Sequence, residues 1–378
     1  MKIVNYSLLS FYGVALIALH ACGDKQSPPT PPSPVIGQRV ETPASSRFLK
    51  LAQATDKHID VALRQLENKP AFARVVGLQN CGNTCYMNAL LQSLLHSNLG
   101  RYTEVPFDQI HFAQGKDRNK SLFKRFYDVA SAYRKASANS VVSPDGIVDF
   151  LLDIGLTPGA QEDADEFLNK FLEHLSAELN VLDSEKPLKY DATDAERANF
   201  LFAYDWIKAG RYGAYSIVND LFNGIFKTTF TRNDGSVGAN YAPFTSIALP
   251  LAQSTETVPL EQLLAEFSQG SIKTTIHKAP KTLIIALKRF DNAGHKITTK
   301  TAYPASLSLT TPVDGAIRYA LFAVVLHSGT LTGGHYTAQV KTANNEWHLA
   351  NDSRVTTSSE ATALSQNEAA YVLFYKRI

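Results

Sequence analysis

The sequence predicts an α+β fold, an enzyme with a helical first half, a strand-rich second half and its cleft between them. Three observations predict it. Apolar residues recur at helical spacing from about Val75 to Tyr215. After Leu221, Thr, Val, Ile, Tyr and Phe alternate in separate runs. A turn rich in Gly and Asn, Gly77 to Thr84, leads directly into the first strong helical pattern. Helices gathered ahead of strands suggest the α+β arrangement.

The segments read in order as follows. Residues 1–22 carry Lys2 and then a largely apolar run from Leu8 to Ala21, ending in Leu19-His20-Ala21-Cys22. The run is too short to span a bilayer comfortably and suits a signal peptide. The small residue before Cys22 also fits a lipoprotein leader with Cys22 lipidated, and both readings stay open. Residues 23–46 hold Pro28, Pro29, Pro31, Pro32 and Pro34, a density that favours an extended linker. Residues 47–72 read as a helical N-terminal extension through Phe48, Leu51, Ile59, Ala62, Leu63 and Leu66. The catalytic domain is expected over 73–378, with its helical part at about 73–220 and its strand-rich part at about 221–378. Helices are predicted around Leu90, Leu91, Leu94 and Leu95, around Phe123, Phe126 and Tyr127, and around Phe167, Phe171, Leu172 and Leu175. Strands are predicted from Ile225 to Thr231, Thr282 to Phe290, Ala320 to His327, His335 to Lys341 and Ala370 to Lys376.

Bulk composition narrows the function. The chain has 378 residues, 37 basic and 35 acidic, for a formal net charge of +2, which argues against a nucleic-acid binder that works by bulk charge. Its three cysteines, Cys22, Cys81 and Cys85, exclude a disulfide framework and a four-cysteine zinc site. No metal site and no cofactor is expected.

Three stretches carry chemistry. In Gly77-Leu78-Gln79-Asn80-Cys81-Gly82-Asn83-Thr84-Cys85-Tyr86-Met87-Asn88 the helical pattern begins at Tyr86. Cys85 is therefore expected at a helix N-terminus, where the helix dipole lowers the thiol pKa. Taken alone, a buried inert cysteine is the commoner outcome. His327-Ser328-Gly329 followed by Gly333-Gly334-His335-Tyr336-Thr337 sets His335 after two glycines at the opening of a strand, where base chemistry has access. In Trp347-His348-Leu349-Ala350-Asn351-Asp352-Ser353, Asn351 or Asp352 at a strand end could orient an imidazole, or could form an ordinary turn.

Together the three stretches resemble the ubiquitin-specific protease family. Gln161-Glu162-Asp163-Ala164-Asp165-Glu166-Phe167-Leu168, the run from Ala279 to Phe290 ending in Lys288-Arg289-Phe290, and Tyr371 to Tyr375 are similar to further segments of that family in the same order. The resemblance covers about Val75 to the C-terminus. It implies a papain-like fold with a helical thumb, a β-rich palm and fingers, and cleavage after the C-terminal glycine of ubiquitin. It implies Cys85 as nucleophile, His335 as general base, Asn351 as third catalytic residue and Asn80 as oxyanion donor, with Asp352 assisting. Asp163, Glu166, Gly333, Gly334 and Tyr336 would bind the substrate, Asp163 and Glu166 its basic tail.

The sequence departs from the family pattern at Cys81, where Leu is commoner, and at Glu162, which replaces a glutamine. The finger stretch, about Phe226 to Phe244, is short and has no Cys-x-x-Cys pair. A protease for a ubiquitin-like modifier and an inactive ubiquitin-binding module are the competing readings. The leader and the ubiquitin chemistry together imply a monomeric bacterial effector, secreted or lipid-anchored at the surface through Cys22 and able to reach ubiquitin or ubiquitinated proteins of a host cell.

Overall fold

A computed structural model describes residues 72–137, 139–180, 216–265, 273–291, 293–330 and 333–378. The expected leader, the proline-rich linker and all but Phe72 of the helical extension lie outside these residues, as does the part of the predicted helical half at 181–215.

The helical part opens with a two-residue strand, β1 (Gly77–Leu78), then α1 (Cys85–Leu95), α2 (Asn98–Tyr102), α3 (Leu122–Lys135), β2 (Val141–Val142), α4 (Asp145–Val148), α5 (Ala164–Glu178) and α6 (Ile217–Phe222). Every residue of α1 is buried, Asn88, Gln92 and Ser93 included. A helix apolar nearly all round must be covered on every side, and this one runs through the middle of the thumb. Leu90, Leu91, Leu94 and Leu95 pack with Phe123 and Phe126 of α3 and with Phe167, Phe171 and Leu172 of α5. Ser121 caps α3 by accepting from the Lys124 amide. Glu178 reaches back from the end of α5 and accepts from the Leu122 and Phe123 amides, both at 2.8 Å. A buried carboxylate is stable there because it meets unpaired N–H groups at the positive end of a helix.

The strand-rich part continues with β3 (Gly224–Thr231), β4 (Val237–Phe244), β5 (Ile247–Pro250), β6 (Val258–Pro259), α7 (Leu260–Ala265), β7 (Lys273–Lys278) and β8 (Thr282–Lys288). It closes with β9 (Thr301–Ala302), β10 (Ser306–Thr311), β11 (Gly315–Gly329), β12 (Gly334–Lys341), β13 (Trp347–Asn351), β14 (Arg354–Ser358), α8 (Glu360–Leu364) and β15 (Ala370–Arg377). Among the described residues the main sheet has eight strands in the order β14-β13-β12-β11-β15-β8-β5, with β10 beside the first half of β11. The sheet is covered on both faces. Ile284, Ala323, Val325, Val372 and Phe374 join the thumb core. Their neighbours Leu283, Ile285, Val324, Leu373 and Tyr375 join a second core that includes Leu260 of α7 and Ala363 of α8. This two-sided burial explains why β8, β11 and β15 read in the sequence as nearly unbroken apolar runs. Arg289, just past β8, is fully buried and donates to the carbonyls of Ala370, Ile297, Thr299 and Asn367, fastening the loop before β9 to the start of β15.

The papain-like α+β expectation describes this arrangement. The short finger stretch is β3 and β4, and β7 completes a separate three-stranded antiparallel sheet in the order β4-β3-β7. The third strand was not foreseen, because Lys273–Lys278 is polar and two-sided in exposure.

Candidate active site

The turn before α1 is shaped by two consecutive residues in the left-handed region, Gly82 at φ 94° and Asn83 at φ 53°. Such a backbone suits Gly and Asn and few other residues. The Asn80 side chain holds the turn from inside. Its Oδ1 accepts from the Gly82 amide at 3.0 Å, the Thr84 amide at 3.2 Å and the Thr84 hydroxyl at 3.3 Å. Its Nδ2 donates to Asp352 Oδ2 at 2.9 Å. With Oδ1 facing donors and Nδ2 facing a carboxylate, the amide orientation is fixed, and one Nδ2 proton is left over.

Helix α1 begins at Cys85, one residue earlier than the apolar pattern suggests. Thr84 makes no side-chain cap and the first turn holds no acid. The first amides of the helix therefore remain available to a charge at the Cys85 sulfur or beside it. The structure corrects the expected direction of the thiol pKa in the resting chain. Burial pushes Cys85 up and the Asp352 carboxylate adds to the rise, while backbone hydrogen bonds from Tyr336, Tyr86 and Cys85 itself pull it down without cancelling it. The helix end lowers the thiol as argued, but desolvation of a buried sulfur outweighs it.

His335 stands at the start of β12, one residue before the Tyr336 backbone that bonds the sulfur. Its Nε2 lies 2.8 Å from Asn351 Oδ1 at the end of β13. An amide oxygen can only accept, so Nε2 carries the proton and Nδ1 keeps the free lone pair. Asp352, at φ 49°, has left the strand, and its carboxylate turns the other way. It accepts from Asn80 Nδ2 and, at 2.7 Å, from Asn88 Nδ2 of α1, and its carbonyl accepts from the Leu78 amide at 2.9 Å. Asn351 and Asp352 thus divide their work: one meets the imidazole, the other pins the cysteine turn.

The residues expected to bind substrate are more dispersed. Asp163 is the N-cap of α5 rather than a member of the helix, accepting from the Glu166 amide at 3.1 Å. It also accepts from the Tyr371 hydroxyl, and burial raises its pKa. Asp163 and Glu166, both expected to bind substrate, are thus turned to different partners. Glu166 is exposed and its carboxylate pairs with Lys170 at 2.8 Å. Tyr336 is buried, its ring against Tyr371 and His327. Gly333 is exposed and Gly334 half-buried.

Cys81 is no rival to Cys85: its thiol donates to Asp145 at 2.8 Å, and burial followed by that bond pushes its pKa up to about 11. Among the described residues no group of His, Cys, Asp and Glu could hold a metal ion. Sequence reasoning assigned no site role to Asn88, which sits inside the first stretch, or to Tyr371, which opens the last segment similar to the family.

Comparison with known proteins adds three findings. The model of the family described as ubiquitin carboxyl-terminal hydrolase matches residues 76–375. Ubiquitin carboxyl-terminal hydrolase 4 of Saccharomyces cerevisiae is 29% identical over 367 residues, covering 80% of this chain and 39% of that protein. Human ubiquitin carboxyl-terminal hydrolase 2 is 29% identical over 352 residues, covering 82% and 56%. The chain thus spans less than two thirds of the length of these curated relatives. Among solved structures, the SAGA Ubp8/Sgf11/Sus1/Sgf73 DUB module is similar with a TM-score of 0.61 at 24% identity, covering 86% of this chain and 74% of that one. The same module bound to monoubiquitin gives a TM-score of 0.61 at 20% identity, covering 88% and 75%.

These findings overturn the expectation of a protein exported to a bacterial surface. The relatives that carry the likeness come from yeasts and from mammals. The expectation rested on reading the apolar run from Leu8 to Ala21 and the Ala21-Cys22 pair as a leader, taken together with ubiquitin chemistry.

Proposed function

This chain belongs to the ubiquitin carboxyl-terminal hydrolase family, and from that premise we propose that it is a thiol-dependent deubiquitinase, cleaving the isopeptide or peptide bond after the C-terminal glycine of ubiquitin. The observation that carries the reading is the 2.8 Å contact between His335 Nε2 and Asn351 Oδ1, beside a cysteine at an uncapped helix N-terminus.

In this reading the catalytic unit is 73–378, acts as a monomer, and binds ubiquitin between thumb, palm and short fingers. His335 Nδ1 takes the proton of the Cys85 thiol, and the thiolate attacks the carbonyl carbon of the terminal glycine. The C=O electron pair moves to oxygen. That oxyanion accepts from the spare Nδ2 proton of Asn80 and from the Cys85 amide. Collapse breaks the C–N bond, and the imidazolium returns its proton to the leaving amine. Water, deprotonated by Nδ1, then hydrolyses the thioester to the glycine carboxylate and the free thiol. Because burial holds the resting thiol up, ionisation here depends on transfer to His335 rather than on a standing thiolate.

The test is a ubiquitin probe bearing an electrophile at its C-terminus. The full chain and Cys81→Ala should both be labelled, and Cys85→Ala should not. Labelling that survives Cys85→Ala, or a folded wild type that resists the probe, overturns the proposal.

A further inference from the structure

His327 takes no part in the steps above, yet it is one of the most constrained side chains near them. It is 3% exposed, across the β11–β12 register from Tyr336, with Ser328 opposite His335 and Gly329 opposite Gly334. Its amide donates to the Ala369 carbonyl at 2.8 Å. The rings of Phe290, Tyr336 and Tyr371 surround it, with centroids at 5.5, 4.5 and 5.8 Å. Lys296 Nζ lies 3.1 Å from its Nδ1 and donates to its carbonyl at 2.9 Å. An ammonium has only protons to give, so Nδ1 is the acceptor and the ring proton sits on Nε2. Burial, then the charge of Lys296, pushes the imidazole down to about 4, so it stays neutral around pH 7.

The Nε2 edge faces Gly334. A Cβ added at Gly334 would lie 2.1 Å from His327 Nε2 and 2.9 Å from the Ser328 carbonyl oxygen. Gly329 has φ 103°, and a Cβ there would fall 2.6 Å from the Gly333 oxygen, to which the Thr330 amide donates at 3.2 Å. The backbone that carries His335 therefore rests on the edge of the His327 ring.

We propose that His327, held in one tautomer by Lys296, is a positioning residue for His335: the imidazole edge is the bed on which Gly334 lies, and it sets the height at which His335 leaves the turn. The inference rests on His335 being the general base.

Misplacing a catalytic group by about 1 Å costs on the order of 10²-fold in rate. Gly334→Ala should lower kcat on a ubiquitin substrate by about that factor, and His327→Ala, which removes the bed, should also lower kcat. In the double variant the added methyl fills space vacated by the ring. Its kcat should exceed that of Gly334→Ala by about tenfold or more, with the Ser328 oxygen keeping recovery incomplete. A double variant no faster than Gly334→Ala refutes the bed.

Lys296 supplies the arm that does not depend on a glycine. Lys296→Met leaves Nδ1 unpaired and should lower kcat about tenfold with KM unchanged, whereas Lys296→Gln, which retains an N–H donor, should stay within about threefold of wild type. Equal losses in the two variants, or a loss confined to KM, also refute it. Both arms require a wild type that reacts with the ubiquitin probe, and a wild type that does not would instead sink the reading of His335 as a base.

Discussion

Replacing Asn351 and Asp352 one at a time separates the two tasks these neighbours perform. Asn351→Ala removes the acceptor at 2.8 Å from His335 Nε2. The ring is then free to rotate and to move its proton to Nδ1, the atom that accepts from Cys85 in the proposed mechanism. General acid–base catalysis contributes about 10²- to 10⁴-fold, and most of it should disappear from kcat. Asn351→Asp restores an acceptor at the same place and should keep much of the activity. Asp352→Ala removes the partner of Asn80 Nδ2 at 2.9 Å and of Asn88 Nδ2 at 2.7 Å. Full loss of an oxyanion donor costs about 10²- to 10³-fold, which is the ceiling for this change. The loss should fall below the ceiling, because three donors still hold Asn80 Oδ1. The sign of a second effect is opposite. Asp352 helps to raise the Cys85 pKa, so without its charge the thiol ionises at lower pH. The assay is kcat on a ubiquitin substrate, together with the pH dependence of Cys85 alkylation. Asn351→Ala should be the slower enzyme, and alkylation of Asp352→Ala should shift to lower pH. If Asp352→Ala is the more damaged of two folded variants, the third catalytic position belongs to Asp352.

Three further outcomes are expected. Asp163→Ala should destabilise the start of α5 by about 1 kcal/mol as a lost cap, whereas Glu166→Lys, at an exposed position, should leave the melting temperature nearly unchanged and raise KM for ubiquitin. No change in KM would remove Glu166 from tail binding. Burial depresses His96 to about 3 and His327 to about 4, against about 6.5 in an unfolded chain. The unfolded state thus binds more protons below about 6.5, and stability should fall as pH drops, by up to about 1.4 kcal/mol per unit for each histidine, until the folded values are reached. Denaturant midpoints between pH 7 and 5 should show this slope, reduced in His96→Phe, and a flat profile would contradict it. Finally, a strong chelator should leave activity intact, since the fingers carry no Cys-x-x-Cys pair, and loss of activity would reveal a metal.

Much of the fold was legible because burial writes itself into periodicity. The runs at β8, β11, β12 and β15 stand within a few residues of their observed strands, and Leu90 to Leu95 does lie on a helix. What stayed hidden belongs to polar side chains whose partners are remote in sequence. Asp163 was expected to meet substrate, and nothing local reveals that its carboxylate is taken by Tyr371, 208 residues away. The thiol pKa was read from helix position alone, and the opposing desolvation depends on how deeply the thumb and palm enclose Cys85. His327 opened the second stretch but was given no role of its own, because neither Lys296 nor the space above Gly334 can be seen along the chain.

The placement of β15 governs when the main sheet can close. Residues 370–377 are made after every other strand of the sheet, yet they sit in its interior between β11 and β8. Until they emerge from the ribosome, β8 with β5 and the β10–β14 group are two separate pieces with raw edges, and the most distant pairings in the chain cannot form. The helix bearing Cys85 ends at Leu95, far ahead of Ala370 where β15 begins. A nascent chain therefore presents Cys85 on a finished helix before β11 and β8 are joined, and β15 is the strand that joins them and closes the sheet.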